Sequence, residues 1–86
     1  MKTATFVKNL TGWDGDARLY KCEPPLDGHD HVIVSAVVAL FSGPETYIFP
    51  SNAQGEPKDY GELTGSFRGA LDHAEALRGA GYEVRT

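Results

Sequence analysis

The distribution of apolar and polar positions predicts β-structure throughout the first half of the chain. Residues 3–8 are rich in β-branched and aromatic side chains, as expected for a first strand. Residues 17–22 alternate after a polar turn, and the prolines at positions 24 and 25 should end this second strand. Residues 31–41 hold four valines and one isoleucine, a composition that favours a third strand over a buried helix.

The third strand is expected to pair with a fourth and then to lead into a long loop. The Gly-Pro pair at residues 43–44 predicts a turn into residues 45–49, which would complete a hairpin. Residues 50–65 contain three glycines, two prolines and mostly polar neighbours, so we expect an irregular connection with a tight turn near residues 52–55. Connections of this length are uncommon in compact domains and often carry function.

Apolar residues at helical spacing predict one helix near the carboxyl end of the sequence. The sequence is compatible with two starting positions for this helix. One lies near Ser66, and the other lies a turn later, where Asp72 and Glu75 have the spacing of a capping box. The apolar stripe consists of Phe67, Ala70, Leu71, Ala74 and Leu77.

The end of this helix and the fold class follow from the last residues. Gly81 predicts a left-handed glycine cap, which is accompanied by an apolar contact between Leu77 and Tyr82. Residues 82–85 then supply a final short strand. The predicted structure is a single α+β domain over residues 1–86, with a mainly antiparallel sheet, the element order ββββαβ and one helix packed on one face.

The third strand should be apolar on both of its faces, because side chains alternate along a strand. The helix is expected to cover the face formed by Val32, Val34, Ala36, Val38 and Leu40. The opposite face would then expose a stripe of Ile33, Val37 and Phe41. The alternative is that the loop of residues 50–65 folds over this stripe with Tyr60 and Leu63.

An exposed apolar stripe of this kind indicates an interaction surface, either for a second copy of the chain or for another protein. A homodimer joined through the open sheet face and a complex with a protein partner are both compatible with it. The predicted partner-binding residues are Ile33, Val37, Phe41, Tyr47 and Tyr60.

Composition and charge restrict the class of partner. The 86 residues are 41% hydrophobic, which is typical of a chain that folds. Eight Lys and Arg residues stand against twelve Asp and Glu residues, giving a net charge of −4 without a basic run. Nucleic-acid binding draws on clustered basic side chains, so no nucleic-acid partner is expected.

Cysteine use and hydropathy bear on the compartment. The single cysteine, Cys22, has no partner for an internal disulfide, which favours a reducing environment and predicts a cytoplasmic protein. Residues 1–8 lack the apolar core of a signal peptide. The longest apolar run, residues 32–41, is too short to cross a bilayer, so no membrane association is expected.

Two histidines raise the question of a metal site. His29 and His31 are two residues apart and would share one face of an extended edge, with Cys22 approaching from the neighbouring strand. Three ligands are a minimum for zinc, and two solvated loop histidines account for the same pattern. We predict neither a metal nor another cofactor.

Catalytic and small-ligand sites have weaker signals. Cys22 lacks a sequence neighbour that would lower its pKa, so we expect a buried structural thiol and no catalytic residues. Ser66 and Arg68 would lie at the helix start, where backbone N–H groups favour an anion. The alternative function is therefore a small-ligand or nucleotide-binding protein that uses Ser66 and Arg68, with Tyr47 or Tyr60 as a stacking platform.

Three stretches, "ATFVKNLTGW", "GPETYIFPSNAQG" and "HAEALRGAGYEV", resemble those of a family of small uncharacterised proteins found in actinobacteria and their phages. The resemblance covers nearly the whole chain and implies a phage or mobile-element context, but it assigns no catalytic residues. The predicted function is a small, non-enzymatic protein-binding module, an accessory factor that acts on a host protein complex.

Overall fold

The computed structural model describes residues 2–13, 15–39, 41 and 43–85, and within them six strands and one helix form an α+β fold. The strands make one sheet in the spatial order β5-β4-β3-β2-β1-β6, in which β6 is parallel to β1 and the other neighbours are antiparallel. The elements are β1 (Thr3–Leu10), β2 (Asp16–Leu26), β3 (His29–Ala39), β4 (Gly43–Ser51), β5 (Phe67–Arg68), α1 (His73–Gly79) and β6 (Glu83–Arg85).

The α+β class is confirmed, but the predicted order and the mainly antiparallel sheet are only partly correct. The two residues of β5 are too few to show a strand pattern in the sequence, and they pair with Glu45 and Thr46 of β4. From β5 the chain continues through α1, which contacts β3, β4 and β6, to the opposite edge of the sheet. There β6 runs in the direction of β1, so the sheet is mixed.

β2 and β3 pair as a hairpin, and β2 is longer than the sequence predicted. Asp27 and Gly28 form the two-residue turn of the hairpin with φ angles of +49° and +89°, the left-handed conformation that such turns require. The expected end of β2 at the prolines is wrong, because the strand continues to Leu26, which pairs with His29. The prolines lie where the register is interrupted between Lys21 and Leu26, a position that needs no N–H donor from them.

The helix begins at His73, so the second of the two predicted starts is confirmed and the one near Ser66 is wrong. Asp72 is the N-cap, and its carboxylate accepts a hydrogen bond from the backbone N–H of Glu75 at 3.0 Å. Gly69 has a φ of +114°, which is incompatible with a right-handed helix and separates β5 from α1.

The predicted end of the helix is confirmed in detail. Gly81 has a φ of +93°, and its N–H donates to the carbonyl of Arg78 at 2.9 Å. The N–H of Tyr82 donates to the carbonyl of Leu77 at 3.0 Å. These two bonds define a Schellman cap, and both Leu77 and Tyr82 lie in the main core.

The main core lies between α1 and the sheet. Val32 and Val34 are buried there, as predicted for the helix-facing side of β3. The prediction is wrong for Val38, which is 65% exposed because the short helix does not reach that end of the strand. Leu40, the last residue of the predicted face, lies outside the described residues. The buried members are Ala4, Tyr20, Cys22, Leu26, Val32, Val34, Ile48, Ala76, Leu77 and Tyr82.

A second, smaller core lies on the face of the sheet away from α1. Leu19 and Ile33 are fully buried there together with Ala17, and Leu10 and Trp13 pack against them. A Cβ atom on Gly55 would lie 2.6 Å from Leu10 and 3.6 Å from Leu19, so the loop after β4 rests directly on this cluster. The expectation of an open stripe is therefore wrong at Ile33. The alternative in which the loop covers this face holds near Gly55, but Leu63, one of its two expected covering residues, packs against the main core instead.

An aromatic groove as the candidate functional site

Beside this second core the covered face opens into a depression of about 420 Å³, which we call the aromatic groove. Its floor comes from β3 and β4, one wall from the β1–β2 connection and the other from the loop after β4. The lining residues are Gly12, Trp13, Gly15, Ser35, Val37, Tyr47, Phe49, Pro57 and Tyr60.

The register of the sheet places the floor residues side by side. Ser35 of β3 is opposite Tyr47 of β4, and Ile33 is opposite Phe49. Paired residues project to the same face, and residues two apart along a strand share it. Tyr47 and Phe49 therefore stand next to each other above the buried Ile33.

Aromatic rings dominate the groove. Trp13 stacks on Phe49 with ring centroids 6.0 Å apart, and Phe49 stacks on Tyr47 at 5.8 Å, with interplanar angles of 22° and 29°. Tyr60 approaches from the loop, edge-on to Phe49 at 5.9 Å and tilted against Trp13 at 6.1 Å. Such distances are those of rings in direct contact. The rings of Trp13, Phe49 and Tyr47 thus form a nearly parallel row, which we call the aromatic row, and Tyr60 contacts its middle ring, Phe49.

Gly15 brings the β1–β2 connection onto the floor of the groove. A Cβ atom at this position would lie 2.1 Å from the carbonyl oxygen of Ala36 and 2.9 Å from the Cα atom of Val37. Only a residue without a side chain permits this backbone contact. The contact fixes the chain close to Trp13, which forms one end of the aromatic row.

Hydrogen bonds along the outer edge of β4 hold the other wall. The N–H of Lys58 donates to the carbonyl of Pro50 at 2.9 Å, and the N–H of Leu63 donates to that of Ile48 at 2.8 Å. The carboxylate of Asp27 accepts from the backbone N–H of Thr64 at 3.0 Å and from its hydroxyl at 3.3 Å. These bonds lower the pKa of Asp27. They anchor the loop on both sides of Tyr60.

A polar cluster closes the Tyr47 end of the row. Glu45 is only 4% exposed; it accepts a hydrogen bond from the Tyr47 hydroxyl and a second from Nε of Arg68 at 2.8 Å. The bond to Glu45 raises the pKa of Tyr47. The Arg68 guanidinium also lies 5.7 Å from the centre of the Tyr47 ring and 3.6 Å from the carboxylate of Glu62. Two carboxylates thus share one guanidinium.

Three of the five predicted partner-binding residues, Val37, Tyr47 and Tyr60, line the groove. Ile33 lies beneath it with 0% exposure, so its predicted contact with a partner is wrong for this conformation. Phe41 is 97% exposed in the β3–β4 turn, outside the groove lining. The three residues of the predicted stripe therefore differ in position: Ile33 is buried, Val37 lines the groove and Phe41 is exposed in the turn.

The predicted anion site at Ser66 and Arg68 is not formed, because no helix starts there. The Ser66 hydroxyl accepts from the N–H of Ile48 at 2.8 Å and donates to the carbonyl of Leu63 at 2.9 Å. Arg68 pairs with Glu45 and Glu62. Both side chains serve the structure around β4.

Of the three side chains considered as metal ligands, Cys22 and His31 lie on opposite sides of the sheet, and His29 is half-buried at the start of β3. Cys22 is buried in the main core, where burial raises the pKa of its thiol to about 12, as expected for a structural thiol. His31 alternates with the helix-facing Val32 and so lies on the other side of the sheet. Within the described part of the chain, no three His, Cys, Asp or Glu side chains are grouped as metal ligands would be.

Sequence reasoning missed Trp13, Phe49 and the two glycines of the groove. Phe49 could have been found, since it is two residues after Tyr47 on the same strand face. Trp13 and Gly15 belong to a turn whose position over β3 follows from a contact distant in sequence.

Comparison with known proteins adds no relative: no family model, no curated protein and no solved structure matches the chain. In the described residues no helix combines the length and the apolar character needed to cross a bilayer.

Proposed function

We propose that the chain is a small, non-enzymatic protein-binding module whose aromatic groove receives a segment of a partner protein. The observation that carries the proposal is the row Trp13-Phe49-Tyr47 with Tyr60 beside it, in a concave surface. Tyrosine, tryptophan and phenylalanine are the side chains that interfaces use most as anchors, because each buries a large apolar area with few rotatable bonds.

The exposure of these rings supports a binding role over a purely structural one. Tyr60 is 70% exposed although its loop is anchored on both sides, and Trp13, Tyr47 and Phe49 are only partly buried. Trp13 packs against the adjacent core of Leu19 and Ile33, whereas Tyr47, Phe49 and Tyr60 are not among the residues that pack against it. Covering the rings with a partner would remove further apolar area from water, at roughly 25 cal/mol per Å².

The chemistry at the groove also favours binding over catalysis. Glu45 is paired with Arg68 and accepts a hydrogen bond from the Tyr47 hydroxyl, and this bond raises the pKa of the tyrosine. A paired carboxylate and a protonated phenol serve better as fixed recognition groups than as a general base or a nucleophile. The resemblance of the sequence to proteins of actinobacteria and their phages supports an accessory factor that acts on a host protein complex.

A capture experiment with two matched variants tests this proposal. Tyr60→Ser removes an exposed ring from the groove, and Phe41→Ser removes an exposed ring from the β3–β4 turn. Both variants should fold, because neither side chain belongs to a core. We expect a host protein that is retained by the parent and by Phe41→Ser but lost by Tyr60→Ser. Equal retention by the parent and Tyr60→Ser would contradict the proposal.

A second copy of the chain is another possible occupant of the same surface. Val37 lines the groove at mid-strand, so Val37→Glu would place a charge in such an interface. If the parent sediments as a dimer, Val37→Glu should sediment as a folded monomer. A parent that remains monomeric at high concentration would exclude the homodimer and leave the partner complex.

The volume of the groove favours one alternative function, a small-ligand-binding protein. About 420 Å³ lies within the range of roughly 300–1,000 Å³ found for small-molecule sites. Tyr47 and Tyr60 would supply the stacking platform, and the anion site predicted at Ser66 and Arg68 would play no part. A metabolite that co-purifies with the parent and is absent from Tyr60→Ser would favour this alternative.

A further inference from the structure

The groove has features that select one kind of protein segment. This inference rests on the protein-binding function proposed above. We propose that the segment is proline-rich, binds as a polyproline II helix along the aromatic row, and carries a basic residue at the end of the row near Glu45 and Glu62. Ring packing, backbone pairing and charge each support part of this assignment.

Ring packing determines where a ligand lies. Centroid distances of 5.8 and 6.0 Å mean that the neighbouring rings of the row touch each other. A nucleobase therefore cannot be inserted between them, and a methylated ammonium group finds no cage that surrounds it. The ligand must therefore lie along the row and contact Trp13, Phe49 and Tyr47 in turn.

Backbone pairing excludes an added β-strand at this position. The floor is made by β3, which pairs with β2 and β4, and by β4, whose other edge pairs with β5 and with the loop at Ile48 and Pro50. The backbone groups there are already engaged, so a peptide gains few main-chain bonds from the floor. A polyproline II segment needs few, since its backbone has no internal hydrogen bonds and its prolines lack N–H groups.

The side chains of the groove match this conformation in length and in hydrogen bonding. A row of three rings in contact is about as long as four residues of polyproline II helix, at roughly 3.1 Å per residue. Trp13 and Tyr60 carry an indole N–H and a hydroxyl that can donate to carbonyl groups of the segment. Pyrrolidine rings provide apolar surfaces that can pack against the parts of the aromatic rings that remain exposed.

Charge selects the basic residue. Glu45 and Glu62 share the single guanidinium of Arg68, and the side chain of Glu62 is 45% exposed. Asp59 precedes Tyr60 in the same loop as Glu62 and is exposed. This excess of carboxylates, in a chain of net charge −4, is complementary to an arginine or lysine. It opposes a phosphate-bearing ligand at the same end.

Fluorescence of Trp13, the one tryptophan of the chain, can measure binding of defined peptides. The probe is Ac-Arg-Pro-Pro-Pro-Pro-Pro-Arg-NH2, which has a basic residue at both ends so that either direction of binding is reported. One comparison peptide replaces both arginines by glutamate, and another replaces the prolines by alternating glycine and serine. We expect the probe to bind at least about tenfold more tightly than either. Equal affinities, or no binding of the probe, would overturn the inference.

Two variants that each lose one negative charge test where the basic residue of the peptide binds. Glu62→Gln should weaken binding of the probe several-fold and reduce its dependence on salt. Glu83→Gln, in β6 at the opposite edge of the sheet, should leave binding unchanged. An equal effect of the two changes would contradict the placement. If capture of a host protein depends on Tyr60 but the probe does not bind, this inference fails while the proposed function stands.

Discussion

Gly15 is the residue at which the aromatic groove depends most directly on the absence of a side chain. Its backbone rests on Ala36 and Val37, so Gly15→Ala would force the β1–β2 connection away from β3. We expect a loss of about 1–3 kcal/mol in the free energy of unfolding, measured with urea, and a change in Trp13 fluorescence. Gly61→Ala is the control, because its Cβ would meet only the movable Asp59 carboxylate at 3.1 Å. Equal stability of the two variants would disprove the close contact.

Cys22 should make the stability of the fold depend on alkaline pH. Burial raises the pKa of its thiol to about 12, whereas an unfolded thiol titrates near about 8.5. Between these values the folded state holds the proton that the unfolded state loses, so stability falls as the pH rises. The slope from this group approaches about 1.4 kcal/mol per pH unit.

Urea unfolding at several values between about pH 8.5 and pH 10 compares the parent with Cys22→Ala. The parent should lose stability more steeply over this window. Tyr82 is present in both proteins, but its pKa is raised by burial and also by Cys22, so Cys22→Ala reduces the contribution of Tyr82 to the slope as well, in the same direction as the loss of the thiol. Identical slopes would mean that the thiol is accessible to water.

At the level of elements, the amino-terminal end of α1 depends on a few side chains. Asp72 caps the helix, and the buried hydroxyl of Thr46 accepts from the N–H of Asp72 at 3.1 Å and donates to the carbonyl of Ala70 at 2.8 Å. His73 adds a contact of 2.7 Å between its Nε2 atom and the carbonyl of Asp16. A helix of seven residues has little stability of its own, so these contacts and the core determine its position.

Removal of the cap should therefore weaken the whole fold. Asp72→Ala leaves the N–H of Glu75 without its acceptor and should lower the free energy of unfolding by about 1 kcal/mol in thermal or urea denaturation. Glu75→Ala removes only the exposed pair with Arg78 and should cost about 0.3–0.5 kcal/mol. A smaller loss for Asp72→Ala than for Glu75→Ala would contradict the assigned helix start.

Local patterns in the sequence predict the elements that local chemistry determines. The glycine cap at Gly81, the N-cap at Asp72 and the burial of Val32 and Val34 are examples. Elements that depend on distant contacts could not be predicted in this way. The two residues of β5 become a strand only through Glu45 and Thr46, and the direction of β6 follows from the path of the chain through α1 to the far edge.

At the scale of the whole molecule, the same distinction explains what was predictable of the site. The alternation of β3 and β4 points to Val37 and Tyr47, and the long loop points to Tyr60. The concave shape, however, results from two connections that fold over one sheet face, one held by Gly15 and the other by bonds along β4. Neither connection has a periodic pattern, so an open apolar stripe was expected where the structure has a groove.

The central claim is that a partner protein binds in the aromatic groove, and site-specific photo-crosslinking tests it most directly. A benzophenone amino acid replaces Tyr60 in one sample and Phe41 in another, and each is irradiated with the captured host protein. Both positions are well exposed, so the probe is accepted equally at each. We predict a covalent adduct from position 60 and none from position 41. An adduct from position 41 alone, or none from either position while the host protein is bound, would contradict the claim.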